Sequence, residues 1–264
     1  MQYQRMWLFW TFLFCLVSPL PVEAQDRGDQ PWRGELAATG TLLTGNLNQL
    51  QLLGRAHLSY STAKLGNDLI LTGLSMWMKP NPSADFVRIG QDLSATDIPF
   101  YYVHPQLYAQ GFARVESSQI HKLELRLNGG FGLGVAPVRR PELLFRLGLV
   151  GLLEHTRYPV ELLTLGEKGP TRTVPRAVVV SNGWYRMKGS PVSLRYVANF
   201  MINPTMWQDL RYMADVGLDF RMTSHVALRT SLLTTHDSVV PEGVVPTDVR
   251  LTLGLVMSLT PTAP

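Results

Sequence analysis

The stretch from Asp209 to Met222 reads D-L-R-Y-M-A-D-V-G-L-D-F-R-M. Apolar residues alternate with a set that is mostly charged. Successive side chains of a β-strand point to opposite faces, so a period of two residues predicts a strand with one apolar and one polar face. The same alternation recurs along most of the chain and predicts an all-β fold.

Ten other segments alternate, four of them cleanly (49–60, 121–135, 192–202 and 248–259) and six less regularly, and one further segment does so only marginally. The ten are 33–44, 49–60, 68–78, 100–112, 121–135, 142–157, 176–186, 192–202, 225–235 and 248–259. The weak segment, Phe86 to Ala95, raises the count from eleven to twelve. Single-chain bacterial barrels in the outer membrane have even strand numbers. Twelve strands also place the two longest connections, 159–175 and 237–247, at one end; ten strands remain the alternative.

The first 24 residues predict a cleaved secretory signal. Arg5 supplies the positive charge, residues 6–17 are apolar, and Val22-Glu23-Ala24 has the pattern of a cleavage site. We therefore expect cleavage after Ala24 and one domain at 25–264. The only cysteine, Cys15, lies in this signal, so the mature chain depends on packing and hydrogen bonding rather than on disulfides.

The strands predict a transmembrane antiparallel up-and-down β-barrel in the bacterial outer membrane. Their apolar sets often contain six residues, whereas a typical strand of a soluble protein has about five or six residues in total. Charged residues are rare in these sets, and charge that faces lipid is costly. The expected partners are outer-membrane lipids and the assembly machinery of that membrane. A soluble periplasmic ligand-binding barrel would also alternate and remains an alternative.

The polar faces of the strands predict a charged lumen. In Asp209 to Met222, the residues predicted to face lipid are Leu210, Tyr212, Val216 and Phe220. The lumen-facing charged candidates are Arg55, Lys122, Glu124, Arg126, Arg146, Arg195, Arg211, Asp215, Asp219, Arg221, Arg229 and Arg250, with Glu154 and Asp248 among the further acidic ones. These charges predict either a salt-bridged network that fills the barrel, which we favour, or a narrow pore for small anionic solutes.

The sequence contains no motif of a known catalytic or cofactor site. The metalloprotease, nucleophile-elbow, phosphate-loop and C-x-x-C patterns are all absent, and the six histidines have no ligand spacing. We therefore expect no enzymatic activity, no metal and no cofactor. A lipid-modifying enzyme with a site on its outer wall remains an alternative. The net charge is +4, but there is no run of Lys and Arg, so nucleic acid is not an expected partner.

Two short patterns carry a family resemblance. Thr44-Gly45-Asn46 follows the first strand, and Pro241, Gly243 and Asp248 precede the last. With the overall layout, they resemble the salt-induced outer-membrane protein family, a β-barrel family of unknown function. The resemblance covers the mature chain and implies an outer-membrane barrel with no assigned ligand, linked to osmotic or salt stress. This chain departs from such barrels in closing its last strand on Leu259 rather than on an aromatic residue.

Overall fold

A computed structural model describes residues 31–43, 48–81, 84–140, 142–159, 170–241 and 243–259. The predicted signal with its cleavage site at Ala24, and the Thr44-Gly45-Asn46 pattern, lie outside these residues. No helix in the described part of the chain is both long and apolar enough to cross a membrane.

The described residues form twelve antiparallel strands. The strands are β1 Trp32–Leu43, β2 Asn48–Ser61, β3 Leu65–Lys79, β4 Val87–His104, β5 Leu107–Ser118, β6 Leu123–Arg139, β7 Leu143–Arg157, β8 Thr171–Arg186, β9 Val192–Asn203, β10 Met206–Arg221, β11 Val226–Asp237 and β12 Thr247–Ser258. Each strand pairs with the next along the chain, and β1 closes the barrel against β12 from Glu35↔Ser258 to Thr39↔Gly254. The predicted closed barrel of twelve strands is confirmed.

One predicted strand was wrong in its boundaries. The segment 100–112 contains the turn between β4 and β5 at Pro105 and Gln106, and β4 joins the weak segment 86–95 to residues 100–104. Because this turn has two residues, inward-facing Tyr102 and Tyr108 keep the same parity on either side of it. The alternation therefore continues through the turn and hides it. The start of β8 was also missed, because Pro175 was taken as part of a loop.

The connections distinguish the two ends of the barrel. The longest ones, 158–170 and 238–246, lie at the same end, as predicted, and this end is called the long-loop end. The opposite end, where connections such as 62–64, 105–106 and 222–225 are short, is called the short-turn end.

The outer face of the barrel is apolar. Phe131 is 81% exposed, and the outer positions of β12 are occupied by Val249, Leu251, Leu253, Leu255 and Met257. On β10, Val216, Leu218 and Phe220 are exposed on this face. Asp97 places a charge on this apolar outer face. Thr96, the residue before it on β4, is buried in the interior, so the side chain of Asp97 points to the opposite, outer side. The sequence prediction left residues 96–99 between two strands and so did not identify this charge.

Candidate functional site: the barrel lumen

Most of the candidate charges lie on the inner face of the barrel. Ion pairs between strands that are not neighbours establish this side, such as Arg55 on β2 with Asp215 on β10, where Nη1 and Oδ2 are 3.1 Å apart. The strand registers place the other inner-face candidates on the same side: Arg126, Arg146, Arg195, Arg211, Asp219, Arg221, Arg229 and Arg250.

Lys122 and Glu124 do not lie on the inner face of a strand. Lys122 is an exposed turn residue with a φ of 50°. Glu124 is exposed and its Oε2 lies 2.9 Å from Nε of Arg157, at the outer rim. For Glu124 the cause is a β-bulge. Glu116 pairs with Arg126 and Ser118 with Leu123, so two steps along β5 correspond to three along β6. The extra residue reverses the side to which side chains point, and simple alternation does not reveal it.

A dense ionic cluster, the mouth network, occupies the lumen at the long-loop end. Its members are Glu116, Arg126, Glu154, Arg172, Arg176, Asp209, Arg211 and Asp237. Nη1 of Arg126 lies 2.8 Å from Oε1 of Glu116, and its Nη2 lies 3.1 Å from Oδ2 of Asp237 on the far side of the barrel. Arg126 therefore links strands across the lumen.

Two carboxylates form the most deeply buried part of the mouth network. Glu154 is 1% exposed and accepts a hydrogen bond of 3.1 Å from Nη2 of Arg176, and it also binds Arg211. Asp209 binds Arg172, and its Oδ1 lies 2.7 Å from Nη1 of Arg176. Buried charges need such partners, since removing one partner leaves the other charge uncompensated.

The sequence prediction did not identify several members of the mouth network. Arg172 and Asp237 lie at strand ends, where the alternating pattern was not followed, and Arg176 and Asp209 were not singled out, although Asp209 begins the alternating stretch of β10. The signal was present in β8, because Arg172, Val174 and Arg176 are buried and alternate with exposed Thr171, Thr173 and Pro175.

The connection between β11 and β12 folds over the mouth network. Val239 is fully buried and packs with Leu123 and Tyr158. Ser238 anchors the connection, because its Oγ accepts a hydrogen bond of 2.8 Å from the amide of Leu210. The pattern that carried the family resemblance lies here: Pro241 is buried and Gly243 adopts a φ of +79°, a conformation that favours glycine. Asp248 follows, with Oδ2 3.4 Å from Nε2 of His121.

A second group of ion pairs lies nearer the short-turn end. Arg229 binds Asp219 in a bidentate manner, at 2.5 and 2.7 Å, and its Nη2 also lies 3.3 Å from Glu35. Nη2 of Arg195 lies 3.6 Å from the Asp215 carboxylate that binds Arg55. These pairs join β9, β10 and β11 to β1 and β2 across the interior.

The β4–β8 part of the interior near the middle and the short-turn end is aromatic and apolar. Phe100, Tyr102 and Tyr108 form a buried cluster, and Arg146 donates from Nε to the Tyr102 hydroxyl at 3.1 Å. Between this cluster and the mouth network lies an apolar layer. Its members are Val150, Leu152 and Val178, with Phe112, Val180 and Met201 packed against them.

The inner faces of the strands differ in their access to solvent. Every inward-facing residue of β7 from Leu144 to Thr156 is buried. By contrast, no described inward-facing residue of β1 or β2 is buried, and on β12 only Val256 is. The lumen is therefore closed along β7 and is most accessible to solvent along β1 and β2, whereas β9, β11 and β12 each have one buried inward-facing residue. The described residues contain no group of acidic, His or Cys side chains arranged to hold a metal ion.

The solved structures that are similar to this chain include porins and the translocator domain of an autotransporter. The NanC porin matches 85% of this chain and 98% of its own, with 9% identity and a TM-score of 0.51. The KdgM porin in complex with disordered oligogalacturonate matches 87% and 99%, with 10% identity and a TM-score of 0.39. The translocator domain of the autotransporter NalP from Neisseria meningitidis matches 96% and 95%, with 10% identity and a TM-score of 0.40. At 9% identity, the likeness to the NanC porin shows the fold alone. The other two TM-scores, 0.39 and 0.40, are too low to support a structural conclusion.

The comparison with curated proteins gave no significant match. The comparison with protein families matched residues 37–259, a range that extends from the first barrel strand to the end of the last. The chain therefore belongs to the family described as "Protein of unknown function, DUF481".

Proposed function

We propose that the protein is a narrow channel of the bacterial outer membrane that passes small polar solutes and favours anions. The observation that carries this proposal is the solvent access along the inner faces of β12, β1 and β2, beside the sealed inner face of β7. A barrel that is purely structural is expected to have its interior filled by side chains on all sides, whereas a channel requires a solvent-accessible side.

The lining of the open side suits polar solutes. Its inward-facing residues include Thr39, Gln51 and Thr252. The Arg55–Asp215 pair crosses from β2 to β10 and, with the Glu35–Arg229 pair, separates this side from the rest of the lumen. The path is thus bounded by β10, β11, β12, β1 and β2, which makes it narrower than the whole barrel.

Arg250 supplies positive charge on this path. It faces inward from β12, opposite Leu233, and lies within electrostatic range of the Asp92 carboxylate without an ion pair to any residue that the structure describes. The other inward-facing arginines nearby, Arg55 and Arg229, are bound to carboxylates. An arginine without a bound carboxylate favours anions in a narrow pore.

Single-channel recording in planar bilayers tests the proposal. We expect small, steady conductance with the reversal potential of an anion-preferring pore under a KCl gradient. Arg250→Gln should shift that potential towards zero. Arg157→Gln makes the same change of charge on the outer rim, where the side chain is exposed and bound to Glu124, and should leave selectivity unchanged. An absence of conductance, or a preference for cations, would overturn the proposal.

A purely structural barrel is the second candidate, because the mouth network and the apolar layer do fill one side of the lumen. It predicts no conductance from a correctly folded protein. Heat-modifiable migration on a denaturing gel provides the check on folding, and fractionation with outer membranes checks the location. Recovery in the soluble periplasm would instead support a ligand-binding barrel.

A further inference from the structure

Four arginines face the lumen at the short-turn end: Arg33 on β1, Arg139 on β6, Arg186 on β8 and Arg221 on β10. They are called the basic vestibule. Arg33 and Arg221 both lie within electrostatic range of Arg186, although β1 and β8 are on different sides of the barrel. The charges of these three arginines therefore act on the same part of the opening, whereas Arg139 lies against Tyr102 of β4.

Two of these arginines are held by aromatic rings and carbonyl oxygens rather than by carboxylates. The guanidinium carbon of Arg139 lies 4.0 Å from the ring centre of Tyr102, and its Nη atoms donate to the carbonyl oxygens of Thr62 and Ala63. The guanidinium of Arg186 lies 4.9 Å from the ring centre of Trp184. A cation held against a ring keeps its full charge, although the Nη atoms of Arg139 are already used by these two carbonyl oxygens.

Two acidic side chains on the inner face at this end are already bound. Glu35 and Asp219 both bind Arg229, at 3.3 Å and 2.5 Å. Arg33 and Arg186 are exposed, so an anion that enters the opening can reach them. Guanidinium groups that lie within electrostatic range of one another in an exposed opening are suited to planar or tetrahedral oxyanions.

We propose that the basic vestibule is a binding site for soluble, multivalent oxyanions, the class that includes phosphorylated and sulfated solutes. Within the channel proposed above, on which this inference rests, it would concentrate such solutes at the short-turn end. The attraction requires several positive charges acting together, and it weakens as salt shortens the Debye length from about 10 Å at 0.1 M to about 3 Å at 1 M.

Calorimetric titration of the refolded barrel with inorganic tripolyphosphate tests the site without requiring conductance. In nonionic detergent at low salt we expect one saturable binding event. Arg33→Gln with Arg186→Gln should weaken it by roughly tenfold or more, whereas Arg33→Lys with Arg186→Lys, which keeps both charges, should weaken it less. Arg157→Gln, the outer-rim control, should bind as the unchanged protein does.

The outcomes separate this inference from the channel proposal. A conducting barrel that binds no tripolyphosphate would overturn the vestibule and leave the channel standing. Binding without conductance would do the reverse. Binding that appears only with anionic phospholipid present would assign the arginines to lipid headgroups and overturn the soluble-solute inference. Heat-modifiable migration of each variant shows that the barrel has folded.

Discussion

Replacement of Glu154 by glutamine tests whether the mouth network is buried and ionic. Glu154 is 1% exposed and binds Arg176 and Arg211, which are also buried. Glutamine keeps the shape and can still accept a hydrogen bond from Arg176, so the main change is the loss of one negative charge. Removal of one partner of a buried ion pair costs about 3–5 kcal/mol, because the remaining charge is left uncompensated.

We therefore expect the free energy of unfolding of Glu154→Gln to fall by about 3–5 kcal/mol. Urea titration of the barrel in lipid, followed by tryptophan fluorescence, measures this quantity if the slope with denaturant is unchanged. Glu35→Gln is the matched control. The Glu35 side chain is 40% exposed and binds one arginine, so the same chemical change there should cost only about 0–1 kcal/mol.

A double substitution makes the test sharper. Glu154→Gln with Arg176→Gln removes a positive and a negative charge together, and the combined loss should be smaller than the sum of the two single losses. Strict additivity, or a loss from Glu154→Gln no larger than that from Glu35→Gln, would refute the argument that these charges depend on each other in a water-poor interior.

Three further substitutions test separate parts of the structure. Asp97→Leu should raise the free energy of unfolding in lipid by about 1–3 kcal/mol, because it removes a charge from the outer face; unchanged or lower stability in the same urea titration would contradict that placement. Gly243→Ala should cost about 1–2 kcal/mol, because its φ is +79°. Gly54→Ala, whose added Cβ would meet no atom within 4 Å, is the control for it, and equal losses would contradict the turn geometry. Leu123 and Val239 belong to one buried cluster, and the mature chain is expected to lack cysteine. Leu123→Cys with Val239→Cys should therefore form a disulfide that ties the β11–β12 connection to β6 and lowers fluctuations of the single-channel current. Unchanged fluctuations before and after reduction would show that motion of the β11–β12 connection does not affect the current through the proposed channel.

The sequence predicted the barrel because each strand carries its own evidence. On β10, the alternation of Arg211, Asp215 and Asp219 with Leu210, Val216 and Leu218 is local, and it identifies both faces without reference to any other strand. Local alternation gave the wrong answer at two places, a turn that keeps the alternation and a bulge that shifts it by one residue. The two-residue turn at Pro105 and Gln106 leaves the pattern unbroken, and the bulge before Arg126 reverses it.

The pairing of the charges could not be predicted in the same way. Arg55 and Asp215 are separated by 160 positions, and their contact depends on the register of every strand between them. Alternation gives the face on which a side chain lies but not its height in the barrel or its partner. For this reason the sequence predicted a lumen rich in charge, whereas the mouth network and the open side emerged only from the assembled registers.

Two inward-facing glycines help to close the lumen along β7, and the alternation of polar and apolar residues does not reveal their role. Gly134 on β6 and Gly148 on β7 are paired and face inward. Tyr108 on β5 lies against both, since a Cβ added to Gly134 would come within 2.2 Å of its ring, and one added to Gly148 within 3.3 Å of its hydroxyl. The absence of side chains at these two positions lets the ring of Tyr108 lie against the wall of β6 and β7. Gly134 and Gly148 thus help to decide which side of the lumen closes.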